Sequence, residues 1–475
     1  MLDKRKFYID GQWVDPVAAN DLHVINPATE QPVAVISMGS PADVDKAVAA
    51  AKRAFESWSQ TTPEERMALL ERLLAIYKRR YAEMAQTVTL EMGAPATMCR
   101  EQQADVGVGH LQGFIDAMKD MHWRETLPNG DTVVREPIGV CGLITPWNWP
   151  VNQVVLKVIP ALASGCTCVL KPSEFTPLDA MLYAEMIDEA GFPPGVFNLV
   201  NGDGLQVGSA LSKHPDIAMM SFTGSTRAGI AVSKDAAETV KRVTLELGGK
   251  SPNIIFADAP LEKAVKRGVL GCFNNSGQSC NAPTRMLVER SAYAQAVEIA
   301  QAVAQKQSVG SPDQEGTHIG PLVSAIQYGR VQALIEAGIA EGARLLAGGP
   351  GRPEGYETGF YVRPTVFADV TNTMRIAREE IFGPVLVMIP FDTEAEAIAI
   401  ANDTPYGLAA YLFTGDLQRA ERVAGRLRAG MIQINGASRQ YGSPFGGMKQ
   451  SGNGREGGKF GLEDFLEIKS LHFPR

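Results

Sequence analysis

Short apolar runs alternate with helix-like runs between residues 139 and 247. The apolar runs predict strands, and the runs with apolar residues at three- and four-residue steps predict amphipathic helices. This alternation is typical of a parallel sheet with helices on both faces, whose ligands bind beyond the carboxyl ends of the strands. The predicted strands are 139–145, 167–171, 197–200, 218–223 and 242–247, and the predicted helices are 152–163, 179–190, 205–211 and 225–237.

The ends of the chain predict further short elements. Residues 7–37 contain strand-like pieces broken by glycine and proline, and residues 41–99 predict two or three amphipathic helices. Residues 132–141 alternate with an interruption at Pro137, which restricts them to a sheet edge or a break. Residues 461–469 alternate weakly, and this favours a strand added to the sheet of a partner chain.

A second alternating region follows the first, which we interpret as a second α/β domain. A chain of 475 residues exceeds the size at which one core keeps growing, so two or three domains are expected. The region extends over 250–435, with predicted strands at 251–256, 284–288, 385–390 and 431–435.

Composition and charge are those of an ordinary globular protein, with 45% hydrophobic and 21% charged residues. A net charge of −8 disfavours a role in binding nucleic acid. The six cysteines lack the spacing of metal-binding motifs, the N-terminus lacks the apolar segment of a secretory signal, and no apolar run is long enough to span a bilayer. We therefore expect a cytoplasmic protein without a membrane segment.

Cys280 is a candidate nucleophile and Glu246 is a candidate general base. Cys280 follows a helix-like run and a glycine, so a tight turn could expose its sulfur, and a thiolate is favoured near positive charge or a helix N-terminus. Glu246 ends a strand-like run just before Gly248 and Gly249, which allow the backbone to turn there. Taken alone, a cysteine is more often a buried apolar group, and a lone glutamate is more often a solvated surface group.

Asn148 is a candidate oxyanion donor at the end of the first predicted strand. Two prolines and two tryptophans surround it in residues 146–150. An amide that is held rigidly at a strand end can stabilise a developing negative charge. A turn-capping asparagine is the alternative.

Three further segments suit a dinucleotide cofactor. Lys171 can bind a phosphate or a ribose hydroxyl, and Glu174 can accept hydrogen bonds from a ribose while repelling a 2′-phosphate, which favours NAD over NADP. Ser225 opens a predicted helix whose free amides can bind a pyrophosphate. Glu380 could hold the nicotinamide ribose, and Phe382 could wall the ring. The fingerprint GxGxxG is absent, and each residue has an ordinary alternative as a helix cap, a loop residue or a core aromatic.

Together these segments resemble the NAD(P)-dependent aldehyde dehydrogenase superfamily over essentially the whole chain. Seven motifs occur in the family's order: PWNWP at 146–150, KPSE at 171–174, FTGS at 222–225, LELGGK at 245–250, GQSC at 277–280, EIFGP at 380–384 and PFGGMKQSG at 444–452.

The resemblance implies an α/β fold with three parts and assembly into a homodimer or homotetramer. The first part is a Rossmann-like parallel-sheet domain that binds NAD, at 1–118 and 138–247. The second is an α/β catalytic domain at 248–450, which carries Cys280. The third is a small β oligomerisation element at 119–137 and 451–475.

The resemblance also implies a mechanism without a metal. Cys280 attacks the aldehyde carbon, Asn148 and the Cys280 backbone N–H stabilise the thiohemiacetal oxyanion, hydride passes to the nicotinamide, and Glu246 activates the water that hydrolyses the thioester. The cofactor is NAD, with NADP as the alternative. The implied cofactor residues are Ile144, Thr145, Pro146, Trp147, Lys171, Ser173, Glu174, Gly204, Phe222, Gly224, Ser225, Gly229, Leu247, Glu380 and Phe382.

The aldehyde itself is not defined by these motifs. An aromatic or aliphatic aldehyde suits the apolar positions, whereas Arg439 could recognise a substrate carboxylate or face solvent. Two other functions stay open, namely CoA-acylating oxidation and a non-catalytic binding protein on the same fold, although the motif around Glu246 favours hydrolysis. The implied substrate residues are Trp149, Gln153, Leu156, Ser279, Asn281, Arg439 and Phe445.

Overall fold

The computed structural model describes residues 1–474 of the chain. In chain order, strands β1 to β21 are Leu2–Lys4, Phe7–Ile9, Gln12–Val14, Asp21–Asn26, Gln31–Ser37, Arg124–Thr126, Thr132–Pro137, Val140–Ile144, Thr167–Lys171, Phe197–Leu199, Met219–Thr223, Arg242–Glu246, Pro252–Ile255, Arg285–Glu289, Arg344–Ala347, Thr365–Ala368, Val385–Phe391, Ala409–Phe413, Met431–Ile434, Gly452–Asn453 and Leu466–Leu471.

Helices separate most of these strands. In chain order, helices α1 to α16 are Pro41–Trp58, Pro63–Arg79, Tyr81–Met92, Ala96–Met98, Asp105–Lys119, Pro150–Ser164, Leu178–Ala190, Ser209–Lys213, Thr226–Ala237, Leu261–Phe273, Arg290–Lys306, Ala325–Ala340, Arg375–Arg378, Glu394–Asn402, Leu417–Ala424 and Gly458–Glu463. Cys99–Gln103 and Gly204–Gly208 form π-helical turns, and Asn274–Gly277 and Lys449–Ser451 form 3-10 turns.

Two large sheets organise the molecule. The first has eight strands in the order β20-β12-β11-β8-β9-β10-β2-β3, and its five central strands from β12 to β10 are parallel. The second has seven strands in the order β15-β16-β17-β14-β13-β18-β19, and all but β15 are parallel. Two three-stranded sheets, β1-β5-β4 and β21-β7-β6, complete the fold.

Helices cover both faces of the first sheet, as the alternation along the chain predicted. Along β8, Cys141 and Leu143 pack into one hydrophobic core, whereas Val140 and Ile144 pack into another on the opposite face. Successive side chains of a strand point to opposite faces, so a strand buried on both sides needs a continuous apolar run. The α/β fold class predicted from the sequence is confirmed.

The strand register brings four strand ends to one edge of this sheet. Ile144 of β8 pairs with Lys171 of β9 on one side and with Phe222 of β11 on the other. Thr223 of β11 pairs in turn with Glu246, the last residue of β12. Because the strands are parallel, the segments that follow them meet at one crevice.

The C-terminal segment differs from its prediction. Residues 458–463 form helix α16, and only Leu466–Leu471 forms a strand, so the weak alternation over 461–469 gave the wrong boundary. Strand β21 pairs with β7 of the same chain, from Leu466 opposite Pro137 to Leu471 opposite Thr132. The outer edge of β21 has no neighbouring strand in the described chain, so its addition to the sheet of a partner stays a prediction.

Two further elements differ from what the sequence pattern predicted. The predicted helix 205–211 is a π-helical turn at Gly204–Gly208 followed by the short helix α8. Strand β20 at Gly452–Asn453 pairs with β12 of the first sheet, although it lies within the predicted oligomerisation element. The division into domains stays a prediction. Within residues 1–474, no helix has both the length and the apolar character needed to cross a membrane.

Candidate active site

A strained turn presents Cys280. After helix α10 ends, Asn275, Ser276 and Gly277 follow with φ of +53°, +56° and +73°. Residues other than glycine rarely adopt these left-handed φ values. Such backbone strain persists only where the surrounding structure holds it in place. The turn breaks the helix direction and leaves Cys280 partly exposed at a cavity of about 220 Å³.

Buried amides hold this turn in place. Asn275 Nδ2 donates to the Asn148 carbonyl at 2.7 Å, and Ser276 Oγ donates to the Gly320 carbonyl at 2.9 Å. Gln278 Oε1 accepts a hydrogen bond from the Val323 N–H at 3.0 Å. These contacts join the nucleophile turn to the first sheet and to the segment before helix α12.

The Asn148 amide lies in the same cavity as Cys280. It is buried, and its Nδ2 donates to the Gln278 carbonyl at 3.0 Å. Its own backbone carbonyl accepts from Gln103 Nε2 at 3.2 Å. An amide nitrogen carries two hydrogens, so one remains for an acceptor beside the sulfur.

The electrostatic surroundings of Cys280 are acidic. Burial raises the pKa of the Cys280 thiol, and the carboxyl groups of Glu380 and Glu246 raise it further. Positive charge or a helix N-terminus would favour the thiolate. The protein's own groups instead favour the neutral thiol.

Glu246 is buried, with 4% of its surface exposed, and it lines the Cys280 cavity. Neither of its carboxylate oxygens has a hydrogen-bond partner within residues 1–474. Burial raises the pKa of Glu246 well above its usual range, and the neighbouring Glu456 adds to this effect. Lys157 opposes the shift, and its Nζ donates to Glu456 Oε1 at 2.5 Å and to Ser221 Oγ at 3.1 Å.

About half of the predicted cofactor residues line this cavity together with Cys280. Glu380 Oε1 accepts the Gly249 N–H at 2.9 Å, and burial raises the pKa of Glu380 to about 7. The rings of Trp147 and Phe382 meet edge to face at 5.3 Å. The cavity-lining members are Pro146, Trp147, Gly224, Ser225, Leu247, Glu380 and Phe382.

The other predicted cofactor residues lie along the same sheet edge but outside that cavity. Lys171 Nζ donates to the carbonyls of Pro172 and Gly202 at 2.8 and 2.6 Å, and it lies 3.7 Å from Glu174 Oε2. Ser225 caps helix α9 by accepting the Ala228 N–H at 3.3 Å. It therefore serves as the ordinary helix cap that was the alternative to a cofactor role. The members outside the cavity are Ile144, Thr145, Lys171, Ser173, Glu174, Gly204, Phe222 and Gly229.

The sequence patterns missed the wall formed by helix α12. Gln327 Nε2 donates to the carbonyls of Phe382 and Ile381 at 2.8 and 3.2 Å, which fixes the turn after Glu380. Ser324 caps this helix, and a serine before a helical run is a signal that could have located it. The lining residues that were not predicted are Phe175, Thr223, Gly248, Ser324, Ile326, Gln327 and Arg330.

A second cavity, of about 590 Å³, lies beside the nucleophile. It is lined by Trp149, Ser279 and Asn281, which are three of the predicted substrate residues. Trp149 Nε1 donates to Ser279 Oγ at 2.8 Å, so the indole is anchored next to Cys280. Both cavities are therefore lined by residues of the turn that carries Cys280.

The other four predicted substrate residues, Gln153, Leu156, Arg439 and Phe445, line neither cavity. Arg439 is half-buried rather than facing solvent, because its guanidinium lies 5.2 Å from the centre of the Phe445 ring and Nη1 donates to the Ser443 carbonyl at 3.0 Å. Leu156 lines a small chamber beside Glu246. A substrate role for these four stays a prediction.

Comparison with known proteins places this geometry in context. The model of the aldehyde dehydrogenase family matches residues 13–471. A 3-succinoylsemialdehyde-pyridine dehydrogenase from a Pseudomonas species is 54% identical over 473 residues, covering 99% of both chains. The crystal structure of an aldehyde dehydrogenase from Bartonella henselae has a TM-score of 0.98 and 56% identity, covering 99% of both chains.

A third similar protein was solved with ligands. It is a mutant of aldehyde dehydrogenase C from Pseudomonas syringae in complex with NAD+ and octanal. It has a TM-score of 0.97 and 52% identity, with 98% of this chain and 96% of that chain covered.

Proposed function

Because this chain belongs to the aldehyde dehydrogenase family, we propose that it oxidises an aldehyde to the carboxylic acid through a covalent thioester on Cys280. The observation that carries the proposal is one shared cavity, in which the Cys280 thiol, the Asn148 amide and the Glu246 carboxyl lie together. These are a nucleophile, an oxyanion donor and a base.

The class of enzyme predicted from the sequence is confirmed. It is an oxidoreductase that acts on aldehydes and uses NAD. When bound, NAD would supply the hydride acceptor that oxidation of the thiohemiacetal carbon requires. The cavity fits such a group, because it combines the capped N-terminus of helix α9 with the buried Glu380 and the aromatic pair Trp147 and Phe382.

Cys280 and Asn148 carry the first half of the reaction in this proposal. The Cys280 sulfur bonds to the aldehyde carbon and the thiol passes its proton to solvent, to which it is partly exposed, while the free Asn148 hydrogen and the Cys280 N–H stabilise the oxyanion. Both amides are positioned before the charge develops, since Asn148 is fixed by its bond to the Gln278 carbonyl. Little reorganisation is then needed as the oxyanion forms.

Glu246 carries the second half in this proposal. Its carboxylate takes a proton from the water that attacks the thioester, which releases the acid and restores the thiol. Glu456, which is paired with Lys157, lies beside Glu246 in a small buried chamber. A base placed in this way supports hydrolysis over transfer to CoA.

The proposal is tested by NADH formation from NAD and a panel of aldehydes, with Cys280→Ala as the inactive variant. Calorimetry should show that Cys280→Ala still binds NAD, so that its inactivity reflects lost chemistry. An absence of NADH with every aldehyde would overturn the proposal. Strict dependence of NADH formation on CoA would support the acylating reaction instead.

The role of Glu246 has its own test. Glu246→Gln should still release a burst of about one NADH per subunit, because acylation does not need the base, and then turn over about 10²–10⁴-fold more slowly. Glu238→Gln, at an exposed position on the surface, is the matched control and should behave like the wild type. Loss of the burst in Glu246→Gln would assign this residue to acylation.

We also propose a cytoplasmic homo-oligomer. All six cysteines are free, which suits a reducing compartment. Strand β21 lies at the edge of its sheet with Ile468 71% exposed, and β19 lies at the edge of the second large sheet. Exposed strand edges with apolar side chains are suited to pairing with another copy.

A further inference from the structure

The outer face of helix α10 carries three cations along the second cavity. Lys263, Lys266 and Arg267 are exposed, and all three line the cavity of about 590 Å³ beside the nucleophile. Their spacing of three and four residues puts them on one face of the helix. We call this set the α10 cationic face.

None of the three cations is neutralised by the protein. Within residues 1–474, no carboxylate lies within 4.0 Å of any of them, and none donates a hydrogen bond. The chain as a whole is acidic, with 53 Asp and Glu against 45 Lys and Arg. Even so, no acidic side chain is among the residues that line this cavity in the described chain.

The same cavity borders the residues on either side of the nucleophile. Ser279 and Asn281, on either side of Cys280, belong to its lining, and so does Trp149, which follows Asn148. A molecule with its aldehyde carbon at Cys280 therefore has space to extend toward helix α10. The volume lies within the range of small-molecule sites.

We propose that the substrate is an aldehyde with an anionic group, such as a carboxylate, at the end remote from the aldehyde, and that the α10 cationic face binds this group. The proposal rests on the function proposed above and specifies its substrate class. Arginine and lysine donors form charge-assisted hydrogen bonds with carboxylates, and the planar guanidinium of Arg267 can bind one in a bidentate manner.

Arg439, the residue first considered for a carboxylate, is less suited to this role. Its guanidinium packs on Phe445 and bonds to the Ser443 carbonyl, and it lies outside the cavity. The α10 cationic face makes no hydrogen bond or ion pair within residues 1–474, although the Arg267 guanidinium lies close to Gly436 at the wall of the cavity. Selectivity for a remote anion is thus assigned to helix α10.

The test compares 4-carboxybenzaldehyde with its neutral methyl ester, two aldehydes that share the same ring and differ in the charge of the remote group. The quantity measured is the ratio of kcat/KM for the acid to kcat/KM for the ester. In the wild type this ratio should exceed one and should fall as salt is added. The variant Lys263→Gln, Lys266→Gln, Arg267→Gln should lower the ratio by about fivefold or more.

Two matched variants separate local binding from general charge and from folding. The variant Lys46→Gln, Lys78→Gln, Lys306→Gln removes three exposed cations that have no ion-pair partner among the described residues and do not line the cavity, so its ratio should equal that of the wild type. Lys263→Arg, Lys266→Arg, Arg267→Lys keeps the charge and should retain the preference.

The outcomes also separate this inference from the proposed function. If the ester is oxidised as well as or better than the acid, or if the α10 variant keeps the wild-type ratio, the anionic substrate class is wrong while aldehyde oxidation stands. If neither aldehyde yields NADH that depends on Cys280, both proposals fail.

Discussion

Glu246 illustrates how burial can place a residue well for catalysis and also raise the pKa of its carboxyl group. Its buried carboxyl has no hydrogen-bond partner in the described residues, and burial together with Glu456 raises its pKa. A general base must lose its proton before it can accept one from water. Hydrolysis of the thioester should therefore become faster as the pH rises through the raised pKa of Glu246.

Glu456→Gln tests this dependence on pH. Removing the neighbouring carboxyl takes away one cause of the raised pKa, so the pH at which hydrolysis reaches half its maximum should shift to a lower value. The measurement is the pH profile of steady-state turnover under conditions where hydrolysis limits the rate. Glu238→Gln provides the exposed control, and its profile should match the wild type. A Glu456→Gln profile that stays in place or moves to higher pH would contradict the assignment.

At the residue scale, the sequence identified which groups meet but not how they affect one another. Cys280, Glu246 and Asn148 were all predicted, and the structure places them around one cavity. The direction of the Cys280 pKa shift was not predicted. It depends on burial and on Glu380, a residue 100 positions away in the chain, and such proximity is set by tertiary packing alone.

At the scale of elements, the turn before Cys280 leaves no room for a larger residue in place of Gly277. Gly277 has φ of +73°, and a Cβ built on it would lie 2.0 Å from the Gly383 carbonyl oxygen. The opposing atom is backbone, on the loop that also carries Phe382, so neither side can yield without moving the site. The close approach explains why a glycine is needed there.

Gly277→Ala should lower stability by about 2 kcal/mol or more and reduce kcat strongly, because the left-handed backbone and the clash act together. Gly191→Ala is the matched control, with φ of +81° but no atom within 4 Å of the added carbon. It should cost only about 1 kcal/mol and leave kcat unchanged. Denaturant unfolding and steady-state kinetics provide the two measurements. Equal stability losses in the two variants would show that the clash is relieved.

Elements with strong periodicity were predicted well, and elements fixed by distant contacts were not. The predicted strand 167–171 coincides with β9, and the helical region predicted from residue 41 begins where α1 begins, since that helix starts with a capping box and a proline. Helix α16 was missed because its short sequence alternates like a strand. Its position depends on packing against α5 and α6, which the local pattern does not contain.

At the scale of the whole molecule, the remaining question is how the exposed strand β21 is covered. Four of its six residues are exposed, and Ile468 is 71% exposed although it lies in the middle of the strand. Arg242 fixes β21 against the first sheet by donating to the carbonyls of Leu466 and Asp464 at 2.8 and 2.9 Å. The strand is thus a rigid part of the fold with an apolar side chain directed outward.

Ile468→Glu should weaken the proposed assembly, because it buries a charge wherever another copy covers this strand. Light scattering after gel filtration should give the wild type twice or four times the mass of one chain, and the variant a smaller mass at low concentration. Leu417→Glu, on helix α15 with a similar exposure of 69%, is the control and should keep the wild-type mass. If Ile468→Glu also keeps it, the contact between copies lies elsewhere. In that case the edge of the second large sheet at β19 becomes the surface to test.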